Sequence, residues 1–210
     1  MAEGLTPVEA ALVSLSAAIA VAGGERIATS VEGAVRAGAP PRAIYETLLQ
    51  SYLFLGFPRA IEAFFAAKPA LDPIDGSSTS SQDPGAWRAS GEALCQRVYG
   101  ANFTKLVATM QGLSPDLASW MIVEGYGKTL SRPGLDARAR EYCVVAILAA
   151  TGMWRQLRSH AIGAVNVGGT RAGVREAIER TAEFTGEARV REALRVVGME
   201  RAEGRSHAAG

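Results

Sequence analysis

Cysteine and histidine are scarce in this chain of 210 residues, at two each. Cys95 and Cys143 lie far apart and form no Cys-x-x-Cys pair, so neither a disulfide framework nor a thiolate metal cluster is indicated, and a reducing cytoplasm suits them. His160 and His207 are too few for a multi-histidine metal site, and no metal is expected. Charge of one sign is also missing. Twenty-two Lys and Arg face 21 Asp and Glu, a formal net charge of +1, so no global field favours nucleic acid or an anionic membrane surface. A small-molecule substrate is the expected partner. No apolar run is long enough to span a bilayer, which takes about 20 residues. The run Ala10 to Gly23 follows Glu3 and Glu9 with no basic residue ahead of it, the wrong polarity for a secretory signal. It reads as a buried helix of a soluble, cytoplasmic protein. The glycines from Gly163 to Gly169 follow no strand and lack dinucleotide-loop spacing, so no nucleotide is implied and no cofactor is expected.

What is present is a sequence rich in Ala, Leu, Glu and Arg, 48% hydrophobic, with Pro and Gly as punctuation and no sustained period-two alternation. That pattern predicts helices almost throughout and essentially no strand. Expected helices are Pro7 to Ala22, Glu25 to Ala37, Pro41 to Leu55 and Pro58 to Ala67, the last two opened by Pro at the first helical position. The Ser-, Asp-, Pro- and Gly-rich stretch Asp72 to Gly85 reads as a surface linker. Beyond it, helices are predicted over Trp87 to Tyr99 and Asn102 to Met110. Ser114, Pro115 and Asp116 open a further helix ending near Gly125 or Gly127. Asp136 caps a helix that runs to Thr151 and stops at Gly152, and Trp154 to Val167, Arg171 to Phe184 and Arg189 to Met199 complete the series. The expected divisions are an N-terminal degenerate repeat over 1–71, a linker over 72–86, a second domain over 87–200 and a frayed tail over 201–210.

The division rests on a self-comparison at an offset of 130 residues. Gly33-Ala34-Val35 matches Gly163-Ala164-Val165, Gly38 matches Gly168, and Ile44 and Glu46 match Val174 and Glu176. Phe54 and Gly56 match Phe184 and Gly186, and Arg59, Glu62 and Ala63 match Arg189, Glu192 and Ala193, with no gap. Turn glycines answer a backbone need rather than composition, so their retention argues for duplication over chance.

The segment REYCVVAILAATGMWRQLRSHAIGAVNVGGTRAGVREAIE, from Arg140 to Glu179, resembles the core of the carboxymuconolactone decarboxylase family, and the preceding SRPGLDARARE is similar to that family's lead-in. The resemblance implies an all-α, alkylhydroperoxidase-like helical fold with a duplicated helical unit, assembled as trimers or hexamers. The broad apolar stripe Phe54, Phe57, Phe64 and Phe65 suits such a subunit interface. Trp120 and Trp154 read as core or interface aromatics. Alkylhydroperoxidases of this superfamily carry a Glu, a Cys-x-x-Cys and a His at fixed spacing. Glu141 and His160 stand at that spacing here, while Met153 and Gln156 occupy the cysteine positions. Peroxide reduction needs both sulfurs, so a peroxidase-like reductase survives only if the remote cysteines meet in space.

The Glu and His pair remains. Counted from the Gly152 turn, Glu141 and His160 fall at similar levels on adjacent helices, and a carboxylate beside an imidazole fixes its tautomer for proton transfer near neutral pH. The resemblance implies a cofactor-independent lyase that decarboxylates a lactone or similar small organic acid. His160 supplies the proton, Glu141 orients it, Arg132 is the candidate anion contact, and Tyr126, beside two glycines, lines the pocket. Arg155 and Arg158 read as surface arginines. In the N-terminal copy Ser30 stands for the His and about Ala11 for the Glu, so that copy is catalytically empty. The alternative is a non-catalytic helical binding or assembly protein of the same fold.

Overall fold

A computed structural model describes residues 4–71 and 83–200 of the chain. Among these residues every regular element is helical. The linker over 72–82 and the tail from 201 lie outside the described residues.

The first helix, α1 (Pro7–Val21), opens on a capping box in which Thr6 and Glu9 satisfy each other's backbone N–H groups, with Pro7 in the first turn. It is followed by α2 (Gly24–Arg36), α3 (Pro41–Gln50) and α4 (Tyr52–Leu71). The second unit repeats this order as α8 (Ala137–Thr151), α9 (Trp154–Asn166), α10 (Arg171–Glu179), α11 (Ala182–Thr185) and α12 (Glu187–Val196). The 130-residue offset holds for helix boundaries as well as for residues. It carries α1 onto α8 and α2 onto α9 end for end, which extends the duplication beyond the positions legible in the sequence.

The matched glycines explain why. Gly56 and Gly186 take nearly the same backbone angles (φ 76, ψ 167 and φ 78, ψ 163), a conformation in which a Cβ is strained. Arg59 reaches back to the carbonyls of Ile19 and Ala22 at the end of α1. Its counterpart Arg189 lies over the Trp154 ring beside the Gly152 turn at the end of α8. The two units share one core: Leu12, Ile19, Ile44 and Leu48 pack in the same apolar cluster as Val144, Leu148, Val174 and Ile178. Helix α8 is buried at every position from Ala139 to Ala150, as expected of a helix enclosed on all sides.

Two expected helices are each divided in two. Pro41 to Leu55 breaks at Ser51, whose hydroxyl donates to the Leu48 carbonyl at 2.7 Å. Arg171 to Phe184 breaks at the matched Thr181, which donates to the Ile178 carbonyl at 2.7 Å. A side-chain hydroxyl competing for a helix carbonyl ends both runs.

Between the units lie α5 (Pro84–Tyr99), a short 3-10 turn over Gly100–Asn102, α6 (Phe103–Leu113), α7 (Pro115–Trp120) and a π-helical segment over Met121–Leu130. Asp83 caps α5, so regular structure resumes inside the stretch expected to be linker. The helix capped by Ser114 does not end at Gly125 or Gly127 but continues as the π segment to Leu130. Gly127, like Gly91 of α5, answers packing rather than termination. A Cβ on Gly127 would stand 1.9 Å from the Trp87 carbonyl oxygen, and one on Gly91 would stand 2.1 Å from that of Ile122. Helix α5 and the π segment therefore cross at backbone contact. The phenylalanine stripe is only half surface: Phe54 and Phe64 pack on the core, whereas Phe57 and Phe65 are 66% and 69% exposed.

Candidate active site

Glu141 sits in the second turn of α8 and His160 in the second turn of α9. The left-handed Gly152 (φ 74) turns the chain between them. Their side chains meet: His160 Nδ1 lies 2.8 Å from Glu141 Oε2, with both residues buried. Nε2 has no hydrogen-bond partner among the described residues. A carboxylate on Nδ1 fixes the tautomer that leaves Nε2 to face a substrate.

The neighbours are aromatic and uncharged. The Phe54 ring, from the N-terminal unit, stands nearly perpendicular to the imidazole with centroids 5.8 Å apart, and the Tyr99 ring of α5 lies 6.3 Å away, centroid to centroid. Tyr99 in turn meets Tyr126 of the π segment edge-on at 6.2 Å. Gly163 lies one turn beyond His160, where a Cβ would stand 3.1 Å from Glu141 Oε2 and 2.6 Å from Val98 Cγ1. This glycine lets α5 close on the carboxylate. Asn166 then pins that helix by donating to the Val98 carbonyl at 2.8 Å.

Burial dominates the titration of these groups. It pushes the Cys95 thiol and the Tyr99 hydroxyl up to about 12, and the Glu141 carboxylate pushes both in the same direction. Tyr126 is held well above its ordinary value for the same first reason. All three are neutral hydrogen-bonding groups at physiological pH.

Arg132 is placed elsewhere than expected. Its Nε lies 3.1 Å from both oxygens of Glu46, a carboxylate also held by Arg42 Nη2 at 2.8 Å and Arg140 Nη2 at 3.1 Å. Arg140 further donates to Gln50 and to the carbonyls of Arg132 and Leu135. Arg132 thus ties the turn before α8 to the first unit. The buried carboxylate of Glu46 claims it, and sequence spacing alone could not reveal that partner. Tyr126, in contrast, is brought to the Glu141 cluster, though as a buried wall 4% exposed. In the N-terminal unit Ser30 donates to the carbonyl of Arg26, one turn back on its own helix.

The cysteines do not meet. Cys95 belongs to a small cluster with Leu94, Val98, Ile122 and Tyr126, while Cys143 sits in the main core beside Ser16 and Thr47. Both are free thiols, so no dithiol forms for peroxide reduction. Among the described residues no group of three His, Cys, Asp or Glu side chains could hold a metal, and no helix is long and apolar enough to cross a membrane.

Sequence reasoning missed Phe54 and Tyr99 as neighbours of His160, along with Val98 against Gly163 and Cys95 in the field of Glu141. Phe54 carried a signal, because it is matched by Phe184 in the repeat; α5 carried none, having no counterpart in the other unit.

The chain is similar to Peroxisomal protein 2 of Schizosaccharomyces pombe, with 28% identity over 138 residues. That alignment covers 63% of this chain and 63% of that protein, so the chain spans less than two thirds of the relative's length. Residues 1–69 and 116–198 match the model of the carboxymuconolactone decarboxylase family, and the match takes in both helical units together with Glu141 and His160. Residues 70–115, which include α5 and α6, fall between the matched segments. The chain belongs to the carboxymuconolactone decarboxylase family.

Proposed function

We propose that this protein is a cofactor-independent lyase of the decarboxylase type, acting on a carboxylated lactone or similar small organic acid, with His160 as the proton donor. The observation that carries this reading is the buried 2.8 Å contact between Glu141 Oε2 and His160 Nδ1, which leaves Nε2 as the ring nitrogen available to substrate. As the bond to the carboxylate breaks, its electron pair moves into the conjugated lactone carbonyl and carbon dioxide departs. His160 Nε2 then returns a proton to carbon, and water reprotonates the imidazole. Glu141 holds the ring and stabilises its charged form through this cycle. Arg132, engaged by Glu46, plays no part in this reading, and Tyr126 contributes as wall.

The test is turnover of carboxymuconolactone and related lactones by purified protein, followed by ultraviolet absorbance. Loss of absorbance with release of carbon dioxide supports the reading, and no turnover of any lactone counts against it. A second reading, a ligand-binding or assembly protein that kept the fold, is favoured by the burial of His160, which is 5% exposed. Binding without turnover would select it.

Assembly into a homo-oligomer, a trimer or hexamer, belongs to the same proposal. Phe57, Ile61 and Phe65 stand at successive turns of α4, each about half exposed or more, and form an apolar face that a second copy would cover. Light scattering at micromolar concentration checks this, with a multiple of the chain mass expected.

A further inference from the structure

Helix α6 carries Phe103, Leu106, Met110 and Leu113 at helical spacing, yet among the described residues it has no buried position. Helix α5 before it buries four residues and the π segment after it buries six. Phe103 and Leu106 lean on the small cluster of Cys95 and Tyr126. The tip of the α6–α7 hairpin is bare: Leu113 is 72% exposed, and across the Ser114 cap Leu117 and Trp120 are 50% and 62% exposed. A helix of 11 residues is too short to hold its shape in water by itself. It also lies within residues 70–115, outside the segments matched by the family. The ridge of Phe57, Ile61 and Phe65 on α4 adjoins the hairpin through Tyr52. That ring stacks on Phe57 with centroids 5.2 Å apart, and its hydroxyl donates to Glu124 Oε1 at 3.2 Å. Glu124 follows Trp120 by four residues in the π segment that continues α7. With a large side chain presenting roughly 200 Å² when free, the ridge and the hairpin tip together expose on the order of 700 Å² of apolar surface. That exceeds the largest patch of an ordinary monomer, about 300–600 Å². It comes close to the roughly 800 Å² that each partner brings to a stable specific interface.

We propose that this surface is a two-fold contact with a second copy of the chain, in which the α6–α7 hairpin of each copy lies across the α4 ridge of the other. The inference rests on the homo-oligomer proposed above and goes beyond it. It adds the hairpin to the α4 face and makes the number of copies even, so that six fit and a bare ring of three does not. A two-fold contact must complement itself, each patch meeting the other. Here both patches are apolar, and the hairpin carries one charge of each sign, Lys105 and Asp116. The net charge of +1 gives two copies little to repel, and the surface offers a strongly charged partner no matching field. The contact also adjoins the candidate site, because Phe54, whose ring meets His160, lies one turn of chain before Phe57.

Light scattering of the full-length protein at micromolar concentration should give an even multiple of the chain mass. Trp120→Asp and Phe65→Asp, both at exposed positions, should each halve that mass with an unchanged circular dichroism spectrum. Cys95 and Cys143 are buried, so thiols introduced at the surface react alone. The double variant Ile61→Cys/Leu117→Cys should therefore form a covalent dimer under mild oxidation that neither single variant forms. If an aspartate variant unfolds, this cross-link decides the matter. A wild-type trimer overturns the two-fold contact and leaves the oligomer proposal standing, as does a mass lowered by Phe65→Asp but not by Trp120→Asp. No covalent dimer from the double variant overturns the crossing of hairpin and ridge. A wild-type monomer overturns both proposals, and its sedimentation with neutral phosphatidylcholine vesicles would assign the surface to a membrane instead.

Discussion

Glu46 and Glu141 are both buried carboxylates within one fold, and their neighbours differ in kind. Around Glu46 stand Arg42, Arg132 and Arg140, with Gln50 completing the hydrogen bonds of Arg140. Around Glu141 stand an imidazole, two phenols and a thiol. A carboxylate enclosed by arginines, whose guanidiniums keep their charge, suits a tie between α3 and the turn before α8. A carboxylate whose one charged partner can gain or lose a proton is suited to chemistry. Burial alone therefore does not mark an active site; the ability of the partner to titrate does.

The contrast is most sharply tested by removing one group from each region. If His160 transfers the proton, His160→Ala should lower turnover by about 100- to 10,000-fold, the usual span for a general acid or base, and leave assembly unchanged. Glu141→Gln should cost less, about tenfold, because the amide still orients the ring but no longer holds its positive charge. Steady-state rates with circular dichroism as a folding control decide the matter, and full activity in His160→Ala would leave only the family assignment standing.

In the other region the expected loss is of stability. Glu46→Ala strands Arg140, which is 2% exposed, together with Arg132, against a low-dielectric core. Removing one partner of a buried ion pair typically costs about 3–5 kcal/mol. A fall in the urea midpoint with an unchanged slope is the expected signature. If Glu46→Ala folds as well as wild type, the cluster is not the tie described here.

How much of this could be read beforehand depended on whether a residue's role is local. The capping positions Asp136 and Ser114, the stop at Gly152 and the 130-residue repeat all follow from backbone needs that one stretch of chain displays by itself. The levels of Glu141 and His160 could likewise be counted from a single turn. Arg132 could not be placed, because its partner Glu46 is 86 positions away and lies on the other unit. The π segment was hidden for a related reason. Gly125 and Gly127 look like helix stops in sequence, and only the crossing with α5 shows that at least Gly127 is a packing residue. Helix α5 was predicted as a helix, but its place over His160 depends on a contact with no repeat partner to foreshadow it.

Alkaline pH should weaken both regions, and the Glu141 region more. The folded protein holds Cys95 and Tyr99 protonated up to about 12, and Cys143 up to about 11. The unfolded chain releases those protons near the ordinary thiol and phenol values of about 9 to 10. The stability they confer is therefore fully present below about pH 9 and lost as pH rises toward 12. Denaturant midpoints measured from neutral to strongly alkaline pH should fall across that window. Tyr99→Phe should flatten the decline, and an unchanged curve in that variant would argue that Tyr99 is not buried as described.

The smallest effect separates the two cysteines, one in each region. Cys143 faces Ser16 and Thr47 in the main core, with Arg140 nearby, while Cys95 packs among Leu94, Val98 and Ile122 within the field of the Glu141 carboxylate. Neither stands where a redox dithiol would need it, and burial keeps both as thiols rather than the thiolates that attack peroxides. Cys143→Ser should leave turnover unchanged and lower stability slightly, since a hydroxyl replaces a small apolar group. Cys95→Ser should keep turnover within about threefold, because a serine hydroxyl is likewise neutral and of similar size. Both thiols should also label slowly with alkylating reagents at neutral pH and quickly once the chain is unfolded. If Cys95→Ser instead abolished activity in a folded protein, the chemistry would belong to the thiol, and the contrast between the two carboxylates would have to be redrawn around Cys95.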